Sequence, residues 1–216
     1  MTRLPRVYPI LDSAALAPRG IALETAAAAF LEGGAQILQV RHKQHWSREI
    51  FESARRVAAL CREAGAEFVV NDRADFAMLL ESGLHVGQDD LPPREARKLV
   101  GAGVMLGFSS HNPDQLCAAG GEPVDYVALG PIFTTASKQN PDPLVGLEQL
   151  AHCRGLLEKP LVAIGGITLE NAESVWAAGA DSVAVIGGLF PGTNGAAALR
   201  RRMEEWRALA SALPAA

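Results

Sequence analysis

Gln39, Arg41 and Lys43 stand at every second position of the stretch "ILQVRHK" (37–43). Side chains alternate between the two faces of a strand, so these three share one face while Val40 and His42 take the other. Arg offers a two-pronged donor matched to phosphate oxygens, and Lys adds a compact positive charge. Converging on one point, they would suit a phosphate or diphosphate, unless they serve only as surface partners for neighbouring helices. Carboxylates follow. Asp72 closes "EFVVND" (67–72), and Asp89 and Asp90 close "GLHVGQDD" (83–90). Two carboxylates beside a phosphate cluster suit Mg2+, which takes one or two of them and completes its shell with water and substrate oxygens. The competing roles are a helix cap for Asp72 and a charged turn for "QDD". Asp89 reads as the blander of the two neighbours, but spacing alone does not separate it from Asp90.

Further polar residues fall at the ends of other apolar runs: Asn71; Gln88; Ser109, Ser110 and His111; then Thr134, Thr135, Ser137 and Lys138. The last four lie in "GPIFTTASKQNPDP" (130–143), whose polar part from 133 to 143 reads as a substrate lid. The glycine pairs in "IGGI" and "IGGL" lie where backbone N–H groups could approach a phosphate. His85 sits inside an apolar run and reads as a packed, hydrogen-bonded histidine, while His111 is divided between a helix start and a site role. No Ser–His–acid or Cys–His arrangement is visible. The expected site therefore holds one Mg2+–diphosphate cluster and a second phosphate cradle.

The elements that must carry these residues are eight short aliphatic runs separated by helix-like segments. The runs are 7–12, 37–43, 67–72, 83–87, 104–110, 125–133, 160–166 and 182–190. Most are apolar nearly throughout, as expected of parallel strands covered on both sides. Between them, "SREIFESARRVAALCREAG" places Ile50, Phe51, Ala54, Val57, Ala58 and Cys61 on one helical face. Thr168 is the expected cap of a helix over "LENAESVWAAG". "GGAQ", "AGAE" and "AGAD" each put glycine where a helix ends and a strand begins. Eight such units in 216 residues predict an α/β fold, a (β/α)8 TIM barrel in a single domain over 1–216, with 191–216 as terminal loop and helix. In that fold the chemistry sits at the C-terminal ends of the strands, where the polar residues gather. A doubly wound sheet is weakened by the lack of G-x-G-x-x-G in the first βα turn.

Composition narrows the function class. A formal charge of −4, with 49% hydrophobic and 20% charged residues, gives no basic field for nucleic acid or an anionic membrane surface. Cys61, Cys117 and Cys153 are too scattered for zinc or a disulfide framework. No signal-peptide core is visible, and the longest uncharged stretch, Ser182 to Leu199, is broken by Pro191 and four glycines. A cytoplasmic protein acting on small molecules is expected, with homo-oligomerisation left open.

Taken together, "LQVRHK", "VVND", "GLHVGQDD", "LGFSSH", "YVALGPIFTTASK", "VAIGGIT" and "AGADSVAVI" resemble the thiamine phosphate synthase family, in order from about residue 7 to 190. The family joins hydroxymethylpyrimidine diphosphate to hydroxyethylthiazole phosphate, or its carboxylated form, and releases pyrophosphate. The resemblance implies that Gln39, Val40, Arg41, His42, Lys43 and Asn71 hold the pyrimidine diphosphate. It also implies that Asp72 and Asp90, rather than Asp89, hold Mg2+. Ser109 and Lys138 would contact the diphosphate, Thr135 and Ser137 the thiazole, and Gly166, Ile186 and Gly187 the thiazole phosphate. Arg41, Lys43, Ser109 and Lys138 would be the catalytic group, stabilising a departing diphosphate in a reaction that needs no general base. Three positions depart from the family pattern: His42 replaces an acid, Thr134 a proline, and Gly187 a small hydroxyl residue. The rival readings are the related thiazole tautomerase, whose catalytic histidine is replaced here by Pro131, and a non-catalytic thiazole-phosphate-binding barrel.

Overall fold

The computed structural model describes residues 4–135, 143–190, 192 and 195–213. Eight parallel strands close into a barrel in sequence order: β1 (Val7–Asp12), β2 (Ile37–Arg41), β3 (Glu67–Asn71), β4 (Gly83–Val86), β5 (Leu106–Ser110), β6 (Tyr126–Leu129), β7 (Leu161–Ile164) and β8 (Ser182–Val185). All eight runs read from sequence become strands. Several end earlier than their apolar character suggested, because the polar and glycine residues that follow leave the ladder to form the rim.

The helices are α1 (Ser13–Leu16), α2 (Leu23–Glu32), α3 (Arg48–Ala64), α4 (Ala74–Leu79), α5 (Pro93–Val100), α6 (Pro113–Gly120), α7 (Gly146–Arg154), α8 (Ala172–Ala177) and α9 (Ala196–Ala212). Ser47 caps α3 by accepting a bond from the Ile50 amide, and Gly65, left-handed at φ 67°, ends it. The expected face of α3 is the one turned inward, with Ala54, Val57, Ala58 and Cys61 buried. One boundary differs. Thr168 does not cap α8; the helix starts four residues after it, at Ala172. The Asn171 side chain takes over the local polar groups, accepting from the Thr168 amide at 2.8 Å and donating to the Gly166 carbonyl at 3.0 Å. That pairing ties up the backbone that a longer helix would have used.

Strand alternation produces two cores. Outward residues such as Leu38, Val40, Val70, Leu84, Leu106 and Leu129 pack with the helices. Inward residues form a second cluster of Tyr8, Ile10, Ile37, Val69, Tyr126, Ala128, Val162 and Ala184. Fully burying one of the large aliphatic side chains contributes about 1.5–3 kcal/mol. The barrel centre is thus filled, and in this fold the mouth is where a site is expected. Among the described residues, no single helix is long and apolar enough to cross a membrane.

Candidate functional site at the barrel mouth

The end of β2 faces the mouth as its alternation requires. Arg41 lies opposite Asp12 in the β1–β2 register, and their side chains form an ion pair. Asp12 has a second task, accepting from the Ala15 amide at 3.0 Å to cap α1. A buried carboxylate held by a helix start and a guanidinium cannot swing away, so Arg41 is oriented before any substrate arrives. Lys43, half-exposed, reaches across to Asp72, with Nζ 2.5 Å from Oδ2. The side chains of Val40 and His42 turn away from the mouth. Val40 belongs to the outer core. The His42 ring bonds Ser13 Oγ at 2.7 Å and lies edge-on to Trp46. Both side chains face the helices, leaving only their main chain near the rim.

Beside this cluster, Asp72 and Asp90 lean on one another. Asp72 occupies left-handed backbone at φ 66°, an uncommon state for a non-glycine residue, fixed by its amide bonding the His85 carbonyl at 2.8 Å. Burial, followed by its hydrogen bond to Asp90, pushes the Asp72 carboxyl up to about 6 despite Lys43 nearby. Burial also acts to raise Asp90, but hydrogen bonds from Asp72 and from the Gly87 amide outweigh it and leave Asp90 below its ordinary value. Each carboxylate opposes the ionisation of the other, and Asp72 is the one of the two that gives up its proton later. The neighbouring Asn71 side chain is buried, and its Nδ2 has no partner, a donor left open in the site. Among the described residues, no three His, Cys, Asp or Glu side chains group as a metal nest. A cation here would rest on Asp72 and Asp90 and draw its other ligands from substrate and water.

Beneath the mouth runs a polar file that the sequence did not reveal. Gln39 donates to Tyr8 Oη at 3.1 Å, Tyr8 and Tyr126 hydroxyls meet at 3.0 Å, and Tyr126 bonds His85 Nδ1 at 3.0 Å. His85 Nε2 then reaches Ser109 Oγ at 2.9 Å. Burial holds both phenols above their ordinary range and pushes His85 down to about 4, leaving it neutral. His85 is the hydrogen-bonded core histidine expected, yet it also touches a site serine. Applying to β1 and β6 the alternation used for β2 would have placed Tyr8, Asp12 and Tyr126 inward as well. Gln88 Nε2 bonds the Ser109 carbonyl at 2.6 Å, steadying the same strand end. His111 serves local structure, its amide bonded to Gln115 Oε1 and its Nδ1 to the Gly130 carbonyl, while Asn112 caps α6.

Across the mouth, glycine peptides form part of the described rim. Gly165 and Gly166 are left-handed, at φ 103° and 66°. A Cβ on Gly165 would lie 2.6 Å from the Pro131 Cα, and one on Gly166 would lie 2.5 Å from the Thr134 carbonyl oxygen. Only glycine fits either position. After β8, Ile186 leads into a 3-10 turn, Gly187–Leu189, which Trp206 of α9 holds by donating to the Gly188 carbonyl at 3.2 Å. A Cβ on Gly187 would meet nothing within 4 Å. Thr134 is exposed and Thr135 half-buried at the rim. Ser137, Lys138 and most of the expected lid lie outside the described residues.

Residues 7–189 match the family model described as thiamine monophosphate synthase. The chain is 50% identical over 192 residues to a thiamine-phosphate synthase of Koribacter versatilis, covering 87% of this chain and 90% of that one. It is 45% identical over 175 residues to the synthase of Moorella thermoacetica, covering 81% and 83%. Among solved structures, it is similar to thiamine phosphate pyrophosphorylase from Pyrococcus furiosus, with a TM-score of 0.81, 29% identity and 96% of each chain covered.

Proposed function

The chain belongs to the thiamine monophosphate synthase family, and from that premise we propose that its barrel mouth joins hydroxymethylpyrimidine diphosphate to hydroxyethylthiazole phosphate, or its carboxylated form. The observation that carries the reading is the convergence of Arg41, Lys43, the adjoining Asp72 and Asp90 carboxyls and the unpartnered Asn71 amide on one side of the mouth, facing the tightly packed peptides of Gly165 and Gly166. The C–O bond between the pyrimidine methylene and the diphosphate breaks, and its electron pair leaves with the diphosphate. The thiazole nitrogen lone pair then forms the new C–N bond.

Each residue has a part in that sequence. Arg41, fixed by Asp12, forks onto diphosphate oxygens, and Lys43 leaves Asp72 to meet the same charge. Asn71 and Ser109 add donors, and Lys138 of the long loop adds another cation. The negative charge that develops on the leaving group therefore meets donors already oriented, where electrostatic stabilisation is most effective. Asp72 and Asp90 would hold Mg2+, which supplies charge neutralisation to the diphosphate when bound. Gly166, Ile186 and Gly187 offer backbone groups to the thiazole phosphate, and Thr135 and Ser137 face the thiazole. No group needs to take a proton from carbon, which fits the neutral, doubly bonded His85. We place the reaction in the cytoplasm.

The test is incubation with both substrates, with and without Mg2+, following thiamine phosphate and pyrophosphate together. Stoichiometric, Mg2+-dependent appearance of both is expected; no product under any condition overturns the reading.

A further inference from the structure

We propose that Tyr8, Tyr126 and His85 form a one-directional hydrogen-bond chain through the barrel centre that fixes Ser109 as a donor facing the mouth. The three are positioning residues: they act on substrate only through Ser109. The inference rests on the reading above in which Ser109 meets the diphosphate.

Direction follows from counting protons. Gln39 Nε2 can only donate, so the Tyr8 oxygen accepts from it. Among the described residues Tyr126 is the one acceptor within reach of the single Tyr8 proton, 3.0 Å away, and with that bond made the single Tyr126 proton goes to His85 Nδ1, also at 3.0 Å. Nδ1 is thereby an acceptor, which puts the imidazole proton on Nε2, and that proton points at Ser109 Oγ, 2.9 Å away. Ser109 accepts it and keeps its own proton for the half-open side, the mouth. A serine so placed presents O–H to an anion rather than a lone pair.

The packing shows that the file is built. TIM-barrel interiors are normally layered with branched aliphatic side chains, and a buried hydroxyl costs free energy unless bonded. Here two phenols fill the centre, each about 1% exposed, with rings edge-to-face at 5.9 Å. The His85 ring stacks on Tyr126 at 5.6 Å. Tyr126 crosses the barrel over Gly107, where any Cβ would fall inside its ring. Phenylalanine at either position would fill the same space without needing partners. The hydroxyls therefore serve the chain, not the volume.

The first measurement uses the unmodified enzyme: 15N NMR of the His85 ring in the folded protein, free and with pyrophosphate. A single Nε2–H tautomer is expected, and an Nδ1–H tautomer would overturn the chain by reversing it. The second is kinetic. Tyr126→Phe keeps the ring over Gly107 and removes the proton given to His85, so His85 should lose its single tautomer. Turnover should fall about tenfold, the worth of one hydrogen bond to a charged group, with the KM for thiazole phosphate unchanged. Ser109→Ala should lose at least as much, and Tyr126→Phe added to it should cost nothing further. A full additional loss on that background would mean that Tyr126 acts by packing and would overturn the proposal. The premise fails separately: normal turnover in Ser109→Ala removes Ser109 from the reaction, whereas a damaged Ser109→Ala beside an intact Tyr126→Phe removes only the chain.

Discussion

From β1 to β5 the rim is furnished with side chains, among them Asp12, Arg41, Lys43, Asp72, Asp90 and Ser109, several already paired with one another. Among the described residues from β6 to β8 it turns on peptide, and the residues that limit its space are Gly165 and Gly166. The two halves answer to different physics. The first is a balance of charges that salt, protons and cations can shift. The second is a matter of space, in which a methyl group decides whether the chain can keep its path. Substitutions on the two sides should therefore fail in different measurable ways.

The largest effect is expected at Arg41. Arg41→Ala removes the forked donor and leaves the buried Asp12 with the α1 amide but no cation, so the melting temperature should also fall. Losing one preorganised donor to a developing anion costs about a hundred- to a thousandfold in turnover. Steady-state kinetics at a temperature where the variant is still fully folded should show that drop. Near-normal turnover would break the assignment of the charged half.

The glycine half should fail by geometry. Gly166→Ala drives a methyl against the Thr134 carbonyl at 2.5 Å and the Phe133 Cβ at 2.7 Å, in left-handed backbone that alanine disfavours. Strain and overlap together should cost about 2–3 kcal/mol, read as a lower denaturant midpoint. The KM for thiazole phosphate should rise about tenfold or more, while pyrophosphate inhibition, which reports the other half, stays close to wild type. Equal damage to both would show that the halves are not separable.

Protons should act on one half alone. The Asp72 carboxyl, raised to about 6, takes up a proton in the folded state over a range where the unfolded chain has already lost it. Its stabilising contribution is therefore present below the ordinary carboxylate value and lost as pH rises through about 6. A cation needs that proton gone, so Mg2+ affinity should weaken as pH falls from about 7 to about 5, measured by calorimetry. In Asp72→Asn the step should vanish along with most of the affinity. A pH-independent Mg2+ affinity in the wild type would remove Asp72 as its ligand.

How much of this was legible beforehand follows the same division. The eight runs and the alternation of "ILQVRHK" sufficed for the barrel and for the inward turn of Gln39 and Arg41, because a strand's period is rigid. The first glycine pair marked a place where the chain packs too tightly for a side chain, at Gly165 and Gly166. The partners were not legible. Asp12 behind Arg41 and the Tyr8–Tyr126–His85 file depend on which strands close beside or across from which, and a linear pattern does not carry distances across a barrel. His42 stood between the two cases, with alternation pointing it away and the family pattern drawing it in. Its bond to Ser13 settles its side chain on the outer side.

The smallest effect is expected at Gly187, where the comparison is sharpest because this glycine is not sterically required. It lacks the positive φ of Gly165 and Gly166, and a Cβ there meets open space. Its 3-10 turn is held from behind by Trp206 and from within by the Phe190 amide bonded to its own carbonyl at 3.2 Å. Gly187→Ser should leave stability within about 0.5 kcal/mol, as for a surface change touching no special feature. Its hydroxyl would add one donor beside the backbone amides, enough to lower the KM for thiazole phosphate by about three- to tenfold. The KM for the pyrimidine diphosphate should stay fixed. If the serine instead raised the thiazole phosphate KM while the protein remained fully folded, the phosphate would have to sit against the glycine itself, and the peptide half of the rim would be tighter at β8 than its open space implies.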